Sequence, residues 1–138
     1  MIGLDTNVLA RYYVADRGDP EAERQRAAAC RLIESGQPLM VCKTVLLEFE
    51  WVLRGYYEFE PVEVLTVLRH LLTLPQVTIE DRDTVEQALR HSEAGLDVAD
   101  ALHYASYRNC RGLATFDDRR FARRARRLGL TPAVVLPG

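Results

Sequence analysis

The chain has 138 residues, 48% of them hydrophobic, and a formal net charge of −2. That is enough apolar material for one globular domain with its own core, and too little positive charge to hold nucleic acid by bulk attraction. No stretch reaches the roughly 20 apolar residues of a membrane span, and Met1-Ile2-Gly3-Leu4-Asp5 lacks the basic start of a signal peptide, so a cytoplasmic protein is expected. Cys30, Cys42 and Cys110 are odd in number and far apart, which argues against a disulfide framework or a zinc site.

Met1 to Leu4 is a short buried-strand candidate that runs into a carboxylate, Asp5. Asp19-Pro20 is a helix start and Ser35-Gly36 a helix stop. Leu39 to Cys42 reads as a second strand. From Thr44 to about Tyr56, apolar residues recur at helical spacing. Glu60-Pro61 opens a further helix that Pro75 closes, and Val77-Thr78-Ile79 is a third strand. Asp83 with Glu86 has the spacing of a capping box for a helix ending near Gly95.

Another helix is predicted from about Asp97 to Asn109, followed by a strand at Leu113-Ala114-Thr115. An arginine-rich helix then runs to Gly129, with Phe121, Ala122, Ala125 and Leu128 on its buried side, and Ala133 to Leu136 forms a last strand. Strands alternating with helices define an α/β chain with a mostly parallel sheet. In such sheets functional groups gather beyond the carboxyl ends of the strands.

Asp5, Glu48 and Asp117 lie just past strand ends or on the helix that follows, and Asp100 lies early on the helix before the fourth strand. Each acid also has an ordinary explanation. Asp5 and Asp117 are placed to cap helices, and Asp97 and Asp100 have the spacing of a helix start. Glu48 stands apart, because the residues around it are Leu46, Leu47 and Phe49, among which an unpaired carboxylate is expensive. Carboxylates that converge repel one another unless a cation compensates. Oxygen donors without His or Cys partners select hard ions, Mg²⁺ or Mn²⁺, which promote phosphodiester hydrolysis.

Asp5-Thr6-Asn7, Glu48 within Val45-Leu46-Leu47-Glu48-Phe49, Asp100-Ala101-Leu102 and Thr115-Phe116-Asp117 occur in this order along the chain. In order and spacing they resemble the PIN-domain nucleases, and most of all the VapC-type toxins of bacterial toxin–antitoxin modules. The resemblance spans essentially the whole chain, as a single domain over residues 1–138. It implies a three-layer α/β/α fold with a five-stranded parallel sheet, and endonucleolytic cleavage of RNA with one or two Mg²⁺ or Mn²⁺ ions. By the same resemblance Asp5, Glu48 and Asp100 match the metal-binding acids and Asp117 the fourth. Thr6, Asn7 and Thr115 match polar neighbours that orient the acids or a water. Asp97 either joins them or caps the helix. The implied partners are an RNA substrate, a small antitoxin protein and a second copy of the chain.

Arg119, Arg120 and Arg123 form a candidate RNA track, against the plainer reading of a solvated helix face. Trp51, Tyr56 and Tyr57 belong either to a dimer or antitoxin surface or to the core. His70, His91 and His103 are scattered, without partners at ligand spacing. A non-catalytic PIN-like module that binds RNA or protein is the alternative reading. A haloacid-dehalogenase-like phosphatase needs a second aspartate where Asn7 stands, and a receiver domain needs paired acids after the first strand, where Asp5 is alone.

Overall fold

The computed structural model describes residues 1–138 and contains seven α-helices and five short strands. Two compact units divide the chain, Met1–Glu80 and Asp81–Gly138.

The first unit opens with β1 (Ile2–Gly3), α1 (Thr6–Tyr13) and α2 (Pro20–Glu34). Asp19 accepts hydrogen bonds from the backbone N–H groups of Glu21 (3.0 Å) and Ala22 (3.4 Å), so the Asp-Pro start works as its chemistry dictates. At the other end Gly36 takes a φ of 82°, which a side chain would resist. β2 (Leu39–Val41), α3 (Lys43–Trp51) and a π-helical turn (Val52–Tyr56) follow. The expected helix over 44–56 is therefore one element with a widened last turn, in which Tyr57 N–H donates to Val52 O at 3.1 Å. α4 (Pro61–Thr73) and β3 (Val77–Ile79) complete the unit.

β1, β2 and β3 form a parallel sheet in that order, so β2 is central. Leu39 and Val41 on β2 are wholly buried, with Leu9, Ile33, Phe49, Leu53 and Leu71 supplied by the helices. Side chains of this kind each contribute about 1.5–3 kcal/mol on burial.

The second unit holds α5 (Arg82–Glu93), α6 (Val98–Ser106), β4 (Gly112–Ala114), a π-helical turn (Asp118–Ala122), α7 (Arg123–Arg127) and β5 (Ala133–Val135). Its core gathers Ala88, Leu96, Ala101, Tyr104, Phe121, Ala125 and Val134. The Tyr104 hydroxyl, fully buried, donates to Pro132 O, which satisfies a polar group that would otherwise destabilise the core.

Three sequence expectations need correcting. The five parallel strands are divided into a three-stranded sheet and the two-stranded pair β4–β5, where the resemblance implies one five-stranded sheet. Strands of two or three residues offer few ladder groups, and pairing stops early. α5 starts two residues sooner than the Asp83–Glu86 spacing indicates. Asp81, with a left-handed φ of 50°, stands at its cap, and Glu86 instead pairs with Arg82 at 2.9 Å. Leu128, placed on the buried side of the arginine-rich helix, is 37% exposed, while Phe121, Ala122 and Ala125 are buried as expected. The π turn ahead of α7 shifts the phase of that helix.

Candidate active site

β1 delivers Asp5. Leu4 N–H donates to Met40 O at 2.8 Å, the last bond tying this segment to β2, and Asp5 then turns out of the sheet to cap α1. Asp5 Oδ1 accepts the Thr6 N–H at 2.8 Å. The buried Thr6 hydroxyl in turn donates to Oε1 of Glu48, which α3 presents after β2. One threonine thus fixes an acid from each of two strand–helix junctions.

Both acids and Thr6 and Asn7 line an open cavity of about 400 Å³, together with Trp51, Val52, Tyr56 and Tyr57. Arg11, one turn along α1 from Asn7, also faces it, with its Nε held by Gln25 at 2.8 Å. Arg11 belongs to no motif of the sequence and becomes visible only with α1. The period of Thr6, Leu9, Ala10 and Tyr13 was the available signal.

Glu48 differs from expectation in its surroundings: it is solvent-exposed. Glu50 is the buried acid of α3, 3% exposed, and its carboxylate pairs with Arg54 at 2.8 Å. The i, i+4 spacing of Glu50 and Arg54 was the signal for that pair.

In the second unit Asp97 caps α6, its Oδ1 accepting the Ala99 N–H at 3.2 Å. Asp100 lies in the first turn of the same helix, half-buried. Burial pushes its carboxyl above the ordinary aspartate range, and the charges of Asp97 and Asp117 push it further in the same direction, against weaker opposition from His103 and Arg124. Asp117 follows β4 and caps the π turn through the Arg120 N–H at 3.0 Å, while its own N–H donates to the Thr115 hydroxyl at 3.0 Å. Asp118, by contrast, is occupied by Arg123 at 2.9 Å and Arg126 at 3.7 Å.

Within the first unit Asp5 and Glu48 are brought together, and within the second Asp97 and Asp117 act on the charge of Asp100. No three His, Cys, Asp or Glu side chains are gathered closely enough to hold an ion outright. In kind, however, the donors fit a hard divalent cation: they are all carboxylates, and mutual repulsion of the sort that raises Asp100 is what such an ion relieves. Of the arginine track, Arg119, Arg120 and Arg123 are all exposed, but Arg123 is committed to Asp118. Plain α-helical faces can be drawn only from Arg123 onward, because the π turn interrupts the spacing before it. No helix is long and apolar enough to cross a membrane.

The PIN domain family model matches residues 2–127, most of the chain and parts of both units. The protein belongs to the PIN-domain family, a class typically composed of metal-dependent nucleases. No individually curated protein is significantly similar to the chain.

Proposed function

We propose that this protein is a Mg²⁺- or Mn²⁺-dependent endoribonuclease, acting in the cytoplasm as the toxin of a type II toxin–antitoxin pair. The observation that carries the nuclease reading is the Thr6 bridge, which orders two carboxylates on one cavity wall within a PIN-family chain. Asp5, Glu48 and Asp100 are the proposed ligands of the principal ion, with Asp117 assisting a second ion or the attacking water. The toxin assignment, and with it a small antitoxin and a second copy as partners, rests on the sequence resemblance to VapC-type toxins.

A bound divalent ion supplies Lewis-acid charge to the phosphodiester and lowers the pKa of water toward neutrality. The chain's own contribution is positional. The Thr6 hydroxyl restricts the Glu48 carboxylate to one orientation, and the helix cap does the same for Asp5, so neither has to be reorganised during the reaction. The charged form of Asp100 is disfavoured first by burial and then by Asp97 and Asp117, a cost that a cation would offset.

The test is cleavage of a structured RNA pool by the purified chain in Mg²⁺, in Mn²⁺ and in chelator, beside Asp100→Asn. Metal-dependent cutting that vanishes in the variant supports the reading. Failure of the folded chain to cut any RNA in the pool, with no Mn²⁺ bound in a titration, would overturn it in favour of a binding module.

A further inference from the structure

Trp51 ends α3 one turn beyond Glu48 and is 58% exposed, although it is the largest apolar side chain in the protein. Its ring is nonetheless held in place. A Cβ built on Gly55 would meet Cε2 of the indole at 3.4 Å and Cδ2 and Cζ2 at 3.7 Å, so the bare backbone of Gly55 lies against the ring. Tyr56, 71% exposed, and Tyr57 stand edge-to-face with centroids 4.8 Å apart. All three rings border the same cavity as Asp5 and Glu48. The turn that carries Gly55 and Tyr56 is π-helical, a distortion that concentrates at functional sites.

This cavity is lined by two carboxylates and three aromatic rings, and its volume of about 400 Å³ lies within the range of small-ligand sites. A nucleotide offers a partner for each: a phosphate for the carboxylates once a cation is present, and a flat base with an apolar face for the rings. A protein surface would meet the rings with apolar cover alone, whereas a nucleotide also reaches the carboxylates that share the cavity. We propose that Trp51, backed by Gly55, is a stacking platform for an unpaired base next to the cleaved phosphate, with Tyr56 beside it. The protein then selects RNA that is single-stranded or has an extruded base at that position, because a base within a duplex has no free face to offer. This inference deepens the nuclease reading and rests on it for the position of the cut.

Trp51 is the sole tryptophan, which makes its emission a direct probe of stacking. The full chain is titrated, in Ca²⁺ in place of Mg²⁺, with a labelled single-stranded oligoribonucleotide, with the same strand in a duplex, and with the strand carrying abasic sites. Anisotropy of the label reports binding, and indole emission reports stacking. Expected are saturable quenching by the single strand and little by the duplex or abasic strand. Binding should weaken roughly 5- to 100-fold in Trp51→Ala and recover largely in Trp51→Phe. Binding without quenching, equal quenching by the abasic strand, or no binding at millimolar strand would overturn the proposal. So would an emission shift that follows protein concentration alone and ignores RNA, which marks a surface covered by a second copy. Cleavage in Mg²⁺ is scored separately. Quenching without cleavage fails the nuclease reading and leaves the platform standing, whereas cleavage without quenching fails the platform alone.

Discussion

Thr6 and Glu48, 42 residues apart in sequence, are joined by a hydrogen bond from the threonine hydroxyl to Oε1 of the carboxylate. The bond crosses from the junction after β1 to the helix after β2, so it adds a side-chain tie to the backbone pairing that already joins the two strands. Removing it should loosen Glu48 without removing any acid. Thr6→Ala is expected to lower the cleavage rate or the Mn²⁺ affinity by about 10- to 100-fold, the usual cost of losing a group that orients a metal ligand. Thr6→Ser should restore most of it, because the hydroxyl is what matters. Equal activity of the alanine and serine variants would show that Glu48 needs no orientation.

Asp5 has two duties that one substitution separates. Asparagine caps helices as well as aspartate does, so Asp5→Asn should keep α1 and the melting temperature nearly unchanged. It removes the charge, and RNA cleavage is expected to disappear. Retained cutting in this variant would sink the assignment of Asp5 to the site.

Asp100 gives the structure a pH dependence of definite sign. Its carboxyl is raised by burial first and by Asp97 and Asp117 next, so the folded chain holds this proton more tightly than the unfolded chain does. Stability from this group is complete below the unfolded value and is lost as pH rises through the folded one. In chelated protein at pH 7, Asp100→Asn should therefore raise the melting temperature by roughly 1–3 °C for a chain of this size. The advantage should vanish at acidic pH. A variant no more stable than its parent at pH 7 would show that the charge is already compensated.

Glu50 is 3% exposed, and its carboxylate pairs with Arg54. Arg54 itself is about half exposed, which moderates the pair, so Arg54→Leu is expected to cost about 1–3 kcal/mol in urea unfolding. The double variant Glu50→Leu, Arg54→Leu should be less destabilised than Arg54→Leu alone, since no buried charge is left behind. Additive losses would mean that the two side chains act separately.

Much of this architecture is legible in the sequence, and the reasons are local. Asp19-Pro20, Ser35-Gly36 and Glu60-Pro61 carry their own capping chemistry, and the ends of α2 and the start of α4 fall where those residues stand. Strand segments such as Leu39 to Val41 and Val77 to Ile79 are legible because Leu39, Val41, Val77 and Ile79, the residues on one face, are apolar and buried. What could not be read depends on the phase of a helix in three dimensions. Glu48 sits among apolar neighbours in sequence yet points to solvent, while Glu50 points inward, a distinction of two residues on a nine-residue helix. The π turns after α3 and before α7 carry no signature in the spacing of the sequence, and the second one shifts Leu128 and the arginines from their expected faces.

The brevity of β1 has a thermal consequence. Two residues pair it with β2, and the Ile2 and Leu4 N–H groups donate to Pro38 O at 3.1 Å and Met40 O at 2.8 Å. So slender an anchor can fray while the buried remainder stays folded, because local opening costs far less than global unfolding. Asp5 follows that anchor directly, so warming should disable the proposed chemistry at temperatures where circular dichroism still reports an intact protein. Cooling should restore it at the rate of strand re-zipping, without a refolding lag.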